Sequence, residues 1–183
     1  MPQVDTQQAA ASSGIIPVAG DTGRTDQYLT FQLAGEVFAI GILAIREIIE
    51  YASLTTVPMM PTYVRGVINL RGCVVPVLDL LVRFGKAPSE VTKRTCIVIV
   101  EVTMHGERQV FGVVVDSVNA VLEIPSSEIE PPPSFGARIR TDFIQGMGRV
   151  SDRFVVLLDV THVLAADEMA LLGESMQADR AAL

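Results

Sequence analysis

The chain has 183 residues, 49% of them hydrophobic, with a formal charge of −7 and a mean hydropathy of +0.41. That length suits one domain or two small ones, and with no tryptophan and 5% aromatics the core must be aliphatic, rich in Val and Ile, which favours strands. An acidic chain whose only lysines are Lys86 and Lys93 is a poor partner for nucleic acid or anionic membrane, and no apolar run approaches the ~18 residues of a membrane span.

Residues 1–26 are small, polar and aperiodic and read as a disordered arm, without the basic start and apolar stretch of a secretory signal. Tyr28–Leu33 alternates as a half-buried strand, Ala34-Gly35-Glu36 turns the chain, and Val37–Ile40 is the partner strand. Ile45–Tyr51 reads as a third strand, with Arg46 and Glu47 its polar positions, and Pro58 and Pro61 bracket a loop. Gly66–Leu80, GVINLRGCVVPVLDL, is an apolar hairpin whose only polar residues are Asn69, Arg71 and Asp79. A connector, Phe84–Thr92, leads to further strands at Thr95–Val102, Val110–Val115 and Val118–Ile124. Pro131–Pro133 open a long loop. A last hairpin joins Phe143–Val150 to Phe154–Val160, and Asp167–Met176 reads as one short helix with Asp167 suited to its start. Cys73 and Cys96 lie in strand-like runs and read as buried, reduced thiols rather than a disulfide.

The second half repeats the first. An offset of 73 places Val37-Phe38-Ala39-Ile40 on Val110-Phe111-Gly112-Val113 and pairs Glu50 with Glu123, Pro58 with Pro131 and Arg65 with Arg138. After an insertion the offset becomes 80, pairing Gly66 with Gly146, Val75 with Val155, Leu78 with Leu158 and Asp79 with Asp159. A unit of about five strands in some 60 residues closes best as a barrel, which removes exposed edges. The expected fold is therefore all-β: two small five-stranded barrels with short helices and a C-terminal helix, leaving a groove between them. Barrel one is expected at about 28–84 and barrel two at about 95–164, within a domain spanning 27–176 and followed by a tail at 177–183. An exchange of end strands between the barrels is compatible with this division. Arg71-Gly72 aligns with Ser151-Asp152 and Asn69 with Arg149. The turn is thus common to both units, whereas Asn69 and Arg71 belong to one, which points them towards function. Recurrent Gly66 and Gly146 read as backbone close approaches, Pro76 as an edge or bulge, and Asp79 and Asp159 as caps rather than catalytic carboxylates.

The segments RGVINLRGCVVPVLDL (Arg65–Leu80), VFAIGILAIREII (Val37–Ile49), VFGVVVDSVNAVLEI (Val110–Ile124) and FIQGMGRVSDRFVVLLDV (Phe143–Val160) resemble the CheW family, the adaptors of bacterial chemotaxis arrays. The resemblance covers roughly residues 28–176. It implies two SH3-like barrels around a shared core, no catalytic activity and no cofactor. It also implies a cytoplasmic scaffold at membrane-bound receptor arrays, without membrane insertion of its own. The implied partners are the cytoplasmic hairpin tip of a chemoreceptor, docked in the groove between barrels, and the regulatory domain of a CheA-type histidine kinase. Rings of alternating paralogous domains are implied too, with self-association compatible with them. By the same resemblance Arg71 and Glu47 pair near the receptor groove, an arginine fork suiting a carboxylate. Ile45, Ile48 and Ile97 supply apolar contact, and Asn69 joins the polar rim. Kinase-contact residues stay unassigned, as does the choice between swimming, twitching and surface-sensing pathways. The sequence contains no Gly-rich phosphate loop, HExxH or GxSxG, and neither His105 nor His162 has a metal-ligand spacing. The rival to an adaptor is a small-molecule-binding module using the groove.

Overall fold

The computed structural model describes residues 24–132 and 141–164. The arm up to residue 23, residues 133–140 with Arg138, the helix read at Asp167–Met176 and the tail lie outside them. Eleven strands and two one-turn helices follow in order. The strands are β1 (Thr25–Leu33), β2 (Glu36–Gly41), β3 (Ile45–Glu50), β4 (Val64–Leu70), β5 (Cys73–Asp79), β6 (Cys96–Met104), β7 (Glu107–Val115), β8 (Ser117–Pro125), β9 (Ile129–Glu130), β10 (Ile144–Val150) and β11 (Arg153–Leu158). Helix α1 (Leu80–Arg83) follows β5 and helix α2 (Val160–Leu164) follows β11. The first strand begins three residues before the expected Tyr28, so Thr25 and Asp26 belong to the fold rather than to the arm.

The strands form two sheets, one ordered β8-β1-β2-β11-β10-β9 and the other β3-β6-β7-β5-β4. These are not the two halves of the chain. The hairpin β1–β2 pairs with β8 (Tyr28 opposite Leu122) and, in parallel, with β11 (Ala39 opposite Leu157). The hairpin β6–β7 pairs with β3 (Ile97 opposite Ile49) and, in parallel, with β5 (Gly112 opposite Val77). Each half therefore lends its opening hairpin to the other half's sheet. Offsets of 73 and 80 relate the two parallel contacts residue for residue, so the repeat is real while its units are exchanged in space. The exchange of end strands that the sequence division at about 28–84 and 95–164 allowed thus takes the form of exchanged opening hairpins.

Alternation along the strands explains three cores. In β6, Ile97 and Ile99 point into one small core with Val77 and Val114. Val98, Val100, Val102 and Met104 point the other way, into the large core between the sheets. In the other sheet Tyr28, Ala39, Ile124, Val155 and Leu157 form a second small core. Each sheet thus carries a small core of its own on one face and shares the large core on the other. The shared core is threaded by ring contacts Phe31–Phe38–Phe84–Phe143, with centroids 6.3, 6.0 and 6.1 Å apart, and is closed by Leu80, Leu81, Val160, Val163 and Leu164 of the two helices.

Both helices start on the recurrent aspartates. Asp79, fully buried, accepts from Leu81 N at 3.0 Å, from Ser89 N at 2.9 Å and from Ser89 Oγ at 3.1 Å, and it pairs with Arg65 Nε at 3.2 Å. Asp159 accepts from His162 N at 3.2 Å. The repeat holds at the backbone too: Asp79 N donates to Tyr63 O and Asp159 N to Phe143 O, at 2.7 and 2.8 Å. Gly66 and Gly146 each sit where another backbone crosses. An added Cβ would lie 2.6 Å from Thr55 O at the first and 2.9 Å from Glu130 O at the second. Pro76 occurs where β5 has not yet met β7, whose pairing begins at Val77, so the missing N–H costs no ladder bond on that side. The thiols are free, as expected, but not buried: Cys73 is exposed and Cys96 half-buried.

Candidate functional site

The β4–β5 hairpin is closed by a two-residue turn in which Arg71 has φ 52° and Gly72 φ 84°. This left-handed pair matches the twist of the strands. Asn69 holds it, its Oδ1 accepting from Gly72 N at 2.8 Å. Part of what set Asn69 apart in the sequence is thus turn chemistry. From the turn the Arg71 side chain reaches back to β3, where Nη2 donates to Glu47 Oε2 at 2.9 Å. Glu47 is 26% exposed and Arg71 79%. β3 and β4 are the outer strands of their sheet and share no ladder, so this ion pair ties the hairpin tip to the opposite border of the sheet.

Along β3 the side chains alternate in exposure. Ile45 leans on the shared core, Ile49 on the small core, and Ile48 stands out, 43% exposed. The register sets Glu47 opposite Ile99 and Ile48 opposite Val98, so the two face opposite sides of β3; Glu47, Arg71 and Asn69 gather at the hairpin tip as one polar cluster. Ile97 does not join it. Its side chain is fully buried in the small core and is unavailable to a partner; it supports β3 from beneath, opposite Ile49. A pair that sequence reasoning missed lies in the other sheet. Arg149, aligned with Asn69, reaches Glu130 at 3.0 Å and lies over the Phe154 ring at 5.6 Å. The basic residue at that aligned hairpin position was its only signal in the sequence.

Between the two sheets opens a cavity of about 590 Å³, within the size range of ligand sites. Its apolar wall is Ile40, Ile42, Leu43, Val102, Leu158 and Val160. None of the six expected site residues lines it, although its wall runs through Ala44 directly into Ile45. Three sets of charged groups stand around it: Arg24–Asp26 at 3.1 Å, Glu101 between Arg46 at 3.2 Å and Arg108 at 3.8 Å, and Asp159–His162 at 2.7 Å. Among the described residues Tyr28 is its one aromatic lining residue. Burial raises the Tyr28 phenol above its ordinary range, Asp26 adds to this, and Arg24 and a hydrogen bond with Gln145 oppose it.

A second recess, about 560 Å³, lies at the end of the other sheet against Val37, Val150, Phe154 and Val156. Phe154 is 50% exposed there. Val74, its counterpart at the offset of 80, is 52% exposed on the β4–β5 hairpin. Among the described residues no group of three or more His, Cys, Asp or Glu could hold a metal ion, and no helix is long and apolar enough to cross a membrane.

Comparison with known proteins agrees with this architecture. Residues 27–168 match the CheW-like domain family. The chain is 33% identical over 162 residues to the chemotaxis protein CheW of Klebsiella aerogenes, covering 87% of this chain and 95% of that protein. It is 33% identical over 140 residues to the CheW of Bacillus subtilis, covering 76% and 86%. The crystal structure of the scaffolding protein TtCheW from Thermoanaerobacter tengcongensis superposes with a TM-score of 0.70 at 32% identity, covering 79% of this chain and 91% of that one.

Proposed function

The chain belongs to the CheW-like domain family and is a chemotaxis scaffold, and from that premise we propose that it is a non-catalytic adaptor coupling transmembrane chemoreceptors to a CheA-type histidine kinase. The receptor's hairpin tip meets the surface built by Ile45, Glu47, Ile48, Asn69 and Arg71. The observation that carries this reading is the Glu47–Arg71 pair. It sets an exposed guanidinium and a carboxylate at one edge of β3, while the next residue, Ile48, exposes an apolar side chain on the strand's other face; polar and apolar contacts of this kind are what a partner helix needs. The kinase meets the aligned apolar positions Val74 and Phe154, one on each sheet. Two like patches on one chain suit head-to-tail contacts with paralogous domains and so the closure of rings. The protein then resides in the cytoplasm at receptor arrays without entering the membrane.

Reconstitution with a candidate receptor and kinase tests the proposal through kinase activity. The adaptor reading fails if no cognate set responds to the protein. Within a responsive set, Glu47→Ala and Arg71→Ala should each weaken receptor binding, and the double variant should weaken it by less than the product of the two fold-losses. Fold-losses that simply multiply would remove the pair from the site.

A further inference from the structure

The described residues begin at Arg24, and Arg24 already lines the cavity between the sheets. Its carbonyl accepts from Ser126 N at 3.0 Å and its side chain pairs with Asp26 at 3.1 Å, so the arm that precedes it is delivered to the cavity mouth. That arm holds one run of large apolar side chains, Ile15-Ile16-Pro17-Val18. Residues 6–20 carry no charge, and Ala19-Gly20-Asp21-Thr22-Gly23 links the run to Arg24. Such a link spans at most about 20 Å, enough to lay the run against a wall that starts at its own anchor. On that wall stands Leu43, 94% exposed, and an apolar side chain left in water gains by being covered. The charges around the cavity are paired within the chain, so an uncharged apolar segment displaces no ion pair on entering. Branched side chains at Ile15, Ile16 and Val18 and the fixed ring of Pro17 leave the run little freedom to lose. A tether this short holds it at an effective concentration in the millimolar range.

We propose that Ile15-Ile16-Pro17-Val18 occupies the inter-sheet cavity of its own chain while no partner is bound, covering Leu43, and that a receptor must displace it. The displacement rests on the adaptor reading above; the contact within the chain does not. Thr103, exposed on the cavity wall, supplies the probe. In the full chain carrying Thr103→Cys, the rate of alkylation by iodoacetamide at position 103 is measured against that of Cys73, which is exposed and does not line the cavity. A second version adds Ile15→Ser, Ile16→Ser and Val18→Ser. The apolar run should slow alkylation at position 103 about threefold or more, and the serine version should lose that protection with its far-ultraviolet circular dichroism unchanged. In calorimetric titrations with a soluble receptor cytoplasmic domain, the serine substitutions should tighten binding by the same ratio, because alkylation and apparent affinity both fall with the fraction of chains whose cavity is open. Equal alkylation in the two versions overturns the inference and leaves the adaptor reading standing. Protection with receptor affinity unchanged overturns the displacement. If neither version binds any cognate receptor, the adaptor reading and the displacement both fall, and alkylation alone decides the contact. Protection that grows with protein concentration would assign the run to a second copy and overturn the proposal.

Discussion

Replacing Gly66 by alanine puts a methyl group into the crossing that shapes the β4–β5 hairpin. The new Cβ would stand 2.6 Å from Thr55 O and 3.0 Å from Leu54 Cβ. Thr55 cannot simply withdraw, because its O accepts from Val67 N at 2.9 Å and its N donates to Val67 O at 3.0 Å. Clearing the overlap weakens both bonds, each worth about 1 kcal/mol net. The φ of 156° at Gly66 adds roughly 1–3 kcal/mol for a residue with a side chain. The sum is about 3–5 kcal/mol. Gly35→Ala is the comparator: its φ is 80° and nothing lies within 4 Å of the added atom, so it should cost only about 1–2 kcal/mol. Gly146→Ala meets Glu130 O at 2.9 Å and Ile129 Cγ2 at 2.7 Å without a left-handed φ and should fall between them, at about 2 kcal/mol. Urea unfolding followed by far-ultraviolet circular dichroism measures all three, since the chain has no tryptophan. A Gly66→Ala variant no less stable than Gly35→Ala would refute the reasoning. The close crossing would then not be what requires glycine.

Asp79→Ala removes a cap and strands the half-buried Arg65, and should cost about 3–5 kcal/mol. Asp159→Ala, at a more exposed cap, should cost about 1 kcal/mol; equal losses in thermal melts would contradict the asymmetry. Truncating both Glu47 and Arg71 should show a coupling of only ~0–1 kcal/mol in urea unfolding, because Arg71 is largely exposed and screened. A larger value would mean that the pair is a main prop of the sheet. Cys73, exposed, should be alkylated well before Cys96, whose thiol is raised by burial and by Glu50; peptide mapping after brief iodoacetamide treatment decides the order. Because burial raises the Tyr28 phenol, the fold favours its neutral form. That contribution is complete below the ordinary tyrosine pKa of about 10 and is lost as pH rises through the higher folded value. Tyr28→Phe should therefore lose less stability than the native chain on going above pH 10 in denaturant titrations.

Legibility in the sequence followed the range of the interaction. Three hairpin turns were readable because two-residue turns demand left-handed backbone, and Ala34-Gly35, Arg71-Gly72 and Ser151-Asp152 all have it. The caps were readable because Asp79 and Asp159 recur at one place in the repeat. Helices α1 and α2 were not, since four or five residues are too few to show a period. Ile97 was misassigned because β6 is buried on both faces, which erases the polar–apolar alternation that tells inside from outside. The exchange of opening hairpins was hidden most deeply. A repeat shows which segments are alike but not which copy each pairs with, and that choice is made by contacts far apart in the chain.

The exchange has a consequence for synthesis. Thr30 of β1 bonds to Ala120 of β8 through Oγ1 at 2.8 Å, a separation of 90 residues, and β2 waits longer still for β11. At roughly 5–20 residues per second on the ribosome, the first hairpin emerges several seconds before any strand that can cover it. Neither sheet can be completed from the chain's first half, so a nascent chain stalled there would display Phe31 and Phe38 to its surroundings. Folding must wait for distant pairings, which are slow to form, and the first hairpin stays uncovered until they are made.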